Sequence, residues 1–173
     1  MNTIARFCLQ CGAPLQTRNI YGGMRPACPT CGWVYFADPK VAAAVFLELN
    51  GKILLTQRLY DPFKGHWALP AGFIDAGEDP RRAAERECHE ETGLKVESLD
   101  LLDISSGREH PHGADIILIF RARLIDGNLQ AGDDAAAAAF FSKADMPPLA
   151  FKATQQIVQR WLQSDDLPQF SSL

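Results

Sequence analysis

Apolar and polar positions divide the chain into two unlike stretches. Up to about Ala37 no apolar period persists, and Gly, Pro, Cys and Asn recur instead. Beyond that point strand-sized apolar segments appear over Val41 to Leu49, Ile53 to Arg58, Leu94 to Ile104 and Asp115 to Leu124. Val41 to Leu47 is apolar throughout, as a buried strand is. Asn50-Gly51 joins the first two segments with a strong hairpin signal. Residues 59–66 hold Asp-Pro and Lys-Gly and read as a loop, and Trp67 to Ile74 reads as a short strand and turn. A helix is predicted from Asp79-Pro80 to about Thr92. Asp is a favoured N-cap, Pro is tolerated at the first helical position, and Gly93 supplies a left-handed stop.

Further on, residues 105–114 form a polar loop with Arg108, Glu109, His110 and His112, and Asp126-Gly127 reads as another turn. Ala135 to Phe141 stays open: alanine favours helix, while the position before Phe140-Phe141 fits a strand. A last helix over about Ala150 to Gln163 places Phe151, Ile157, Val158, Trp161 and Leu162 in a partial stripe. Asp38-Pro39 marks a boundary, because the residue before proline is pushed away from helix. The expected domains are 1–37, a knuckle-turn-knuckle module, and 38–173, a mixed α/β domain.

Composition adds limits. A chain of 173 residues, 47% hydrophobic and 22% charged, supports one sizeable core plus a small appendage. A formal net charge of -4 argues against broad electrostatic binding to nucleic acid. No run of 18 apolar residues is present, so no membrane partner is expected. The first eleven residues lack the pattern of a secretion signal, and a cytoplasmic location is the expectation.

Four of the five cysteines form two pairs, Cys8-x2-Cys11 and Cys28-x2-Cys31, sixteen residues apart and each followed by glycine. Two such knuckles can offer four thiolates tetrahedrally, which is the arrangement of a structural Zn2+ site. A redox pair is the alternative, but it lacks a thioredoxin-like setting. A segment this short has little core, so the metal itself would fold it.

The predicted helix carries a second constellation. Glu87, Glu90 and Glu91 stand at i, i+3 and i+4, on one face and close together. They crowd the C-terminal half, where the helix dipole disfavours negative charge. A hard divalent cation relieves that conflict, because Mg2+ prefers carboxylate oxygens. A merely solvated acidic face is the bland alternative. The preceding Gly72 to Glu78 segment weighs against it, with a glycine where backbone can approach a metal and a further carboxylate.

Together these residues resemble the signature of the Nudix hydrolase family. Gly72, five residues, Glu78, seven residues, then Arg86-Glu87-Cys88-His89-Glu90-Glu91-Thr92-Gly93-Leu94 match all seven fixed positions. At about one in twenty per position, chance produces this roughly once in 10⁹ starts. Cys88 departs at an aliphatic position, where a buried cysteine still packs as a small hydrophobe. The resemblance implies an α+β fold, a Nudix α/β/α sandwich with a mixed sheet, preceded here by a small zinc ribbon. It implies one to three Mg2+ or Mn2+ ions on Glu87, Glu90 and Glu91 with the Gly72 carbonyl, and Glu78 nearby. Arg86 would pair with Glu78 and hold the geometry. Glu90 is the candidate base inside the signature; Glu109, His110, Asp133 and Asp134 are the candidates outside it.

The zinc ribbon narrows the resemblance to members that cleave NADH and others that cleave FAD or ADP-ribose. The NADH-cleaving group carries a Ser-Gln-Pro-Trp-Pro-Phe-Pro-type stretch, absent here, which favours FAD or ADP-ribose with release of AMP. Arg58 and Lys64 are candidates to hold the outer phosphate, Trp67 and Phe73 to stack a base, and Arg108 to close over substrate. Ordinary solvated charge and core packing are the alternatives for each. A non-catalytic nucleotide sensor and an enzyme acting on RNA ends are the competing functions, and a homodimer is a candidate assembly.

Overall fold

The computed structural model describes residues 5–163, and the chain divides into two compact units, Met1–Pro39 and Lys40–Leu173. In the first unit two strands pair antiparallel, β1 (Gln16–Ile20) and β2 (Gly23–Ala27). They are joined through Tyr21 and Gly22, both left-handed with φ of 50° and 75°. The turn expected between the knuckles is thus a full hairpin. Each knuckle closes on its glycine: Gly12 N–H donates to the Cys8 carbonyl and Gly32 N–H to the Cys28 carbonyl.

The second unit is built on a mixed sheet. β3 (Val41–Leu49) and β4 (Lys52–Arg58) form the predicted hairpin, with Asn50 and Gly51 at φ 52° and 71°. After the loop come β5 (Trp67–Ala68), β6 (Ala71–Phe73) and α1 (Pro80–Thr92). Then follow β7 (Leu94–Ser106), β8 (Ile116–Gly127), β9 (Ala135–Ser142) and α2 (Lys152–Gln163). The strand order is β5-β4-β3-β8-β7, with β6 also on β3 and β9 also on β4. Among the described strands of this sheet the central β3–β8 pair is parallel and the other strand pairs are antiparallel.

The apolar run of β3 is explained by two cores, one on each side of the sheet. Its Ala43, Val45 and Leu47 share one with Ala83, Ala84 and Cys88 of α1. Its Ala44 and Phe46 share the other with Ala153, Ile157 and Trp161 of α2. A strand covered on both faces must be apolar at successive positions, not alternate ones. No helix among the described residues is long and apolar enough to cross a membrane.

Three local expectations change. Asp126-Gly127 does not turn: β8 runs on through Gly127, held opposite Leu94 and Lys95 of the long β7. Ala135 to Phe141 is strand, because its pairing along β4 overrides alanine's helical preference. Phe151 lies outside the last helix, and the helical stripe reduces to Ala153, Ile157, Val158 and Trp161.

Candidate active site

The site begins with how α1 is anchored. Asp79 is extended, and its carboxylate accepts from the backbone N–H of Arg81 (2.9 Å) and Arg82 (3.3 Å). At the far end Gly93 turns left-handed at φ 71° and donates to the His89 carbonyl. With both ends set, Ala83, Ala84 and Cys88 face the core, and Glu87, Glu90 and Glu91 come to one flank. Burial pushes the Cys88 thiol up to about 11, consistent with packing and not with a nucleophile.

Arg86 gathers the acids. Its Nε and Nη2 donate to the two oxygens of Glu78 at 2.8 and 2.9 Å. Nη1 donates to Glu87 at 2.7 Å and Glu90 at 3.1 Å, and Nη2 also reaches the Phe73 carbonyl at 3.1 Å. The hydrogen bonds from Arg86, then the Asp75 N–H, hold Glu78 down to about 2. Glu87 goes the other way. Its burial outweighs the Arg86 charge and raises its pKa.

Glu91 is the most strained of the three electrostatically. It is buried, with a neutral hydroxyl, Thr56 Oγ1, donating to it at 2.9 Å. Burial first, then the nearby Asp134 and Glu87 charges, push it up to about 8 against the opposing Thr56 bond. A carboxyl so placed holds its proton more tightly than a free one. Gly72 completes the arrangement: a Cβ there would lie 2.1 Å from the Glu87 carboxyl carbon. Only a glycine lets that carboxylate lie against the backbone, so alanine would force Glu87 out of the cluster.

Of these groups Gly72, Glu87 and Glu91 open onto a cleft of about 370 Å³, and Glu78, Arg86 and Glu90 lie outside its lining; the volume is within the usual range for small-ligand sites. Gly72, Phe73, Glu87, Glu91, Asp133 and Asp134 line it beside Arg58, Glu109, His110 and Phe151. In the N-terminal unit, Cys8, Cys11, Cys28 and Cys31 bring their sulfurs within 4.8 Å of one another. Two pairs stand at 3.5 Å, Cys8 with Cys31 and Cys11 with Cys28. Tetrahedral Zn–S bonds place sulfurs about 3.8 Å apart, so the set fits a metal with little movement.

The family profile described as NUDIX domain matches residues 38–162. The chain belongs to the Nudix hydrolase family. The ADP-ribose pyrophosphatase of Methanocaldococcus jannaschii is 44% identical over 117 residues, 67% of this chain and 69% of that protein. The NAD-capped RNA hydrolase NudC of Pseudomonas aeruginosa is 30% identical over 146 residues, 83% of this chain. The chain spans about half of that protein's length, 50%. A crystal structure of a Nudix hydrolase from Nitrosomonas europaea matches with a TM-score of 0.84 and 30% identity. The match covers 93% of this chain and 92% of that one, and establishes the Nudix fold.

Of the residues singled out in the sequence, Glu78, Glu87 and Glu90 meet on Arg86, Gly72 lies against Glu87, and Glu91 stands apart from them on Thr56. Arg58 and Phe73 reach the cleft, and Lys40 stands 5.2 Å over the Phe73 ring. Three others do not. Trp67 packs edge-on against Phe141 at 4.6 Å, in the α2-side core. Lys64 is exposed on its loop and does not line the cleft. Arg108 turns to Asp115 at 2.6 Å, although its neighbours Gly107 and Glu109 do line the cleft. Glu109 also caps α2, accepting from Lys152 N–H at 2.8 Å. Thr56 and Phe151 were missed. A threonine in an apolar strand, and an aromatic before a helix, give no sequence signal of a site.

Glu91 gives this Nudix site a testable pH dependence. The unfolded carboxyl titrates near its ordinary 4.5 and the folded one near 8, so the metal-free fold holds an extra proton between them. The stability this contributes is full below pH 4.5 and lost as pH rises through 8, a fall on the order of a few kcal/mol. Melting curves in chelator should therefore drop from pH 5 to pH 8.5, and Mg2+ or Mn2+ should restore the loss. The same drop in Glu91→Gln would show that another group is responsible.

Proposed function

We propose that the chain is a divalent-cation-dependent diphosphatase acting on a nucleoside diphosphate joined to a second group, with ADP-ribose and FAD ahead of NADH. The observation that carries this reading is a nucleotide-sized cleft lined by Gly72, Glu87 and Glu91, with Glu90 tied beside Glu87 through Arg86. Glu87, Glu90 and Glu91, with the Gly72 carbonyl, would hold Mg2+ or Mn2+. The uncompensated burial of Glu91 fits that role. When bound, the cation supplies positive charge against the diphosphate and Lewis acidity toward water.

The chain's own groups do the rest. Arg86 fixes Glu87 and Glu90 relative to one another, and Glu78 fixes Arg86. Arg58, which lines the same cleft, meets a phosphate oxygen. Water attacks one phosphorus and the bridging P–O bond breaks. AMP and the phosphate monoester of the second group leave, and Glu90 takes the proton that water loses. Cys8, Cys11, Cys28 and Cys31 would hold a structural Zn2+. The likeness to NudC supports a second reading, in which the group beyond the diphosphate belongs to a capped RNA.

Turnover of ADP-ribose, FAD, NADH and an NAD-capped dinucleotide tests this, each with Mg2+, Mn2+ or chelator. AMP release that chelator abolishes is the expected result, and the best substrate decides between the two readings. No turnover of any, with nucleotide binding retained, would make the chain a nucleotide sensor.

A further inference from the structure

The entry to α2 breaks a local rule. Helices usually start on an extended residue, most often Ser, Thr, Asp or Asn. Here Phe151 accepts the first helical bond, from Gln155 N–H at 3.0 Å, with φ at 53°. Left-handed backbone suits glycine or asparagine, and a bulky side chain there is an outlier. Nothing in the turn itself demands an aromatic ring, so the ring must be there for what it touches.

What it touches is Arg58. The guanidinium lies 4.7 Å over the Phe151 centroid, while Phe63 meets the ring edge-on at 5.3 Å and His110 stacks on it at 6.0 Å. Arg58 is tied at one more point, its Nε donating to the Pro62 carbonyl at 2.7 Å. Among the described residues no acceptor meets Nη1 or Nη2 of Arg58. Yet Arg58 lines the same cleft as Glu87 and Glu91. A guanidinium with its face and Nε committed, and its outer edge open, presents a ready fork to phosphate oxygens.

We infer that Phe151 is a positioning residue: its ring, carried on left-handed backbone, holds Arg58 so that the open edge binds a phosphate of the nucleotide. This rests on the cleft being the diphosphate site, and the test separates the two. Binding of ADP in Mg2+ is measured by calorimetry for the wild type, Phe151→Gly, Phe151→Tyr, Arg58→Ala and the Phe151→Gly/Arg58→Ala double variant. Phe151→Gly should weaken ADP about tenfold, the scale of a lost cation–π hold and a loosened charged bond. Its melting temperature should stay level or rise, because glycine removes the left-handed strain. Phe151→Tyr should bind as the wild type does. Arg58→Ala should weaken ADP at least as much, and adding Phe151→Gly to it should change nothing further.

An unchanged ADP affinity in Phe151→Gly would overturn the inference, as would effects of the two changes that simply multiply. A fall in melting temperature with unaltered affinity would make the ring a packing element, and a wild type that binds no ADP would also overturn the role. Absence of AMP release alongside the expected binding pattern would sink the hydrolase reading alone.

Discussion

Glu90→Gln is expected to lower kcat by on the order of a thousandfold while the melting temperature stays within about 2 °C. The contrast follows from where Glu90 sits. Its side chain is 45% exposed and makes one 3.1 Å ion pair with Arg86. Glutamine keeps the shape and one oxygen to accept that bond, so little folding energy is at stake. What disappears is a negative charge beside Glu87 and the capacity to take a proton. Steady-state rates with Mn2+ and a thermal melt on the same preparation decide the matter. A rate within tenfold of the wild type would move the base to Glu109, His110, Asp133 or Asp134, which line the cleft.

Cys31→Ser is expected to abolish the fold of the N-terminal unit. That unit has a two-stranded ribbon, and among its described residues few apolar side chains are buried, namely Ala27 and the cysteines Cys8 and Cys28. A structural Zn2+ contributes on the order of 10 kcal/mol in such a setting, more than a ribbon this small can supply from packing. The wild type should carry one zinc per chain by elemental analysis, and trypsin should leave Arg18 intact. The variant should carry none and be cut after Arg18. A zinc-free wild type equally resistant to trypsin would show that the hairpin stands without metal. The Cys31 and Cys28 pair is already prepared for metal on one side. The backbone N–H of Cys31 holds the Cys28 thiol down to about 6, so it ionises readily.

The fold and the Nudix signature were legible to different depths. The α1 boundaries read correctly from Asp79, Pro80 and Gly93, because caps are local chemistry. The β3–β4 hairpin read correctly from Asn50-Gly51 for the same reason. β9 stayed open between helix and strand, since a run of alanines takes its conformation from the strand beside it. Trp67 was a candidate for stacking and sits in the core, because an aromatic in a strand gives no sign of which face it occupies. Thr56 meets Glu91 and Phe151 meets Arg58 across long stretches of sequence, and no spacing rule connects them. Within the signature, residue types and spacing were enough to set Glu78, Glu87 and Glu90 around Arg86. Across the cleft, only the fold brings side chains together.

The five hydrogen bonds from Arg86 match its five N–H groups, leaving none for an incoming ligand. It is electrically present and chemically silent: its charge tempers the acids around it, but its vocabulary of contacts is already spoken for. A lysine in its place would keep the charge and lose the grip, with three donors for five acceptors. The guanidinium whose outer edge stays open is that of Arg58, which lines the cleft. Holding and recognising thus fall to two different arginines, and a change at one should leave the other's task readable.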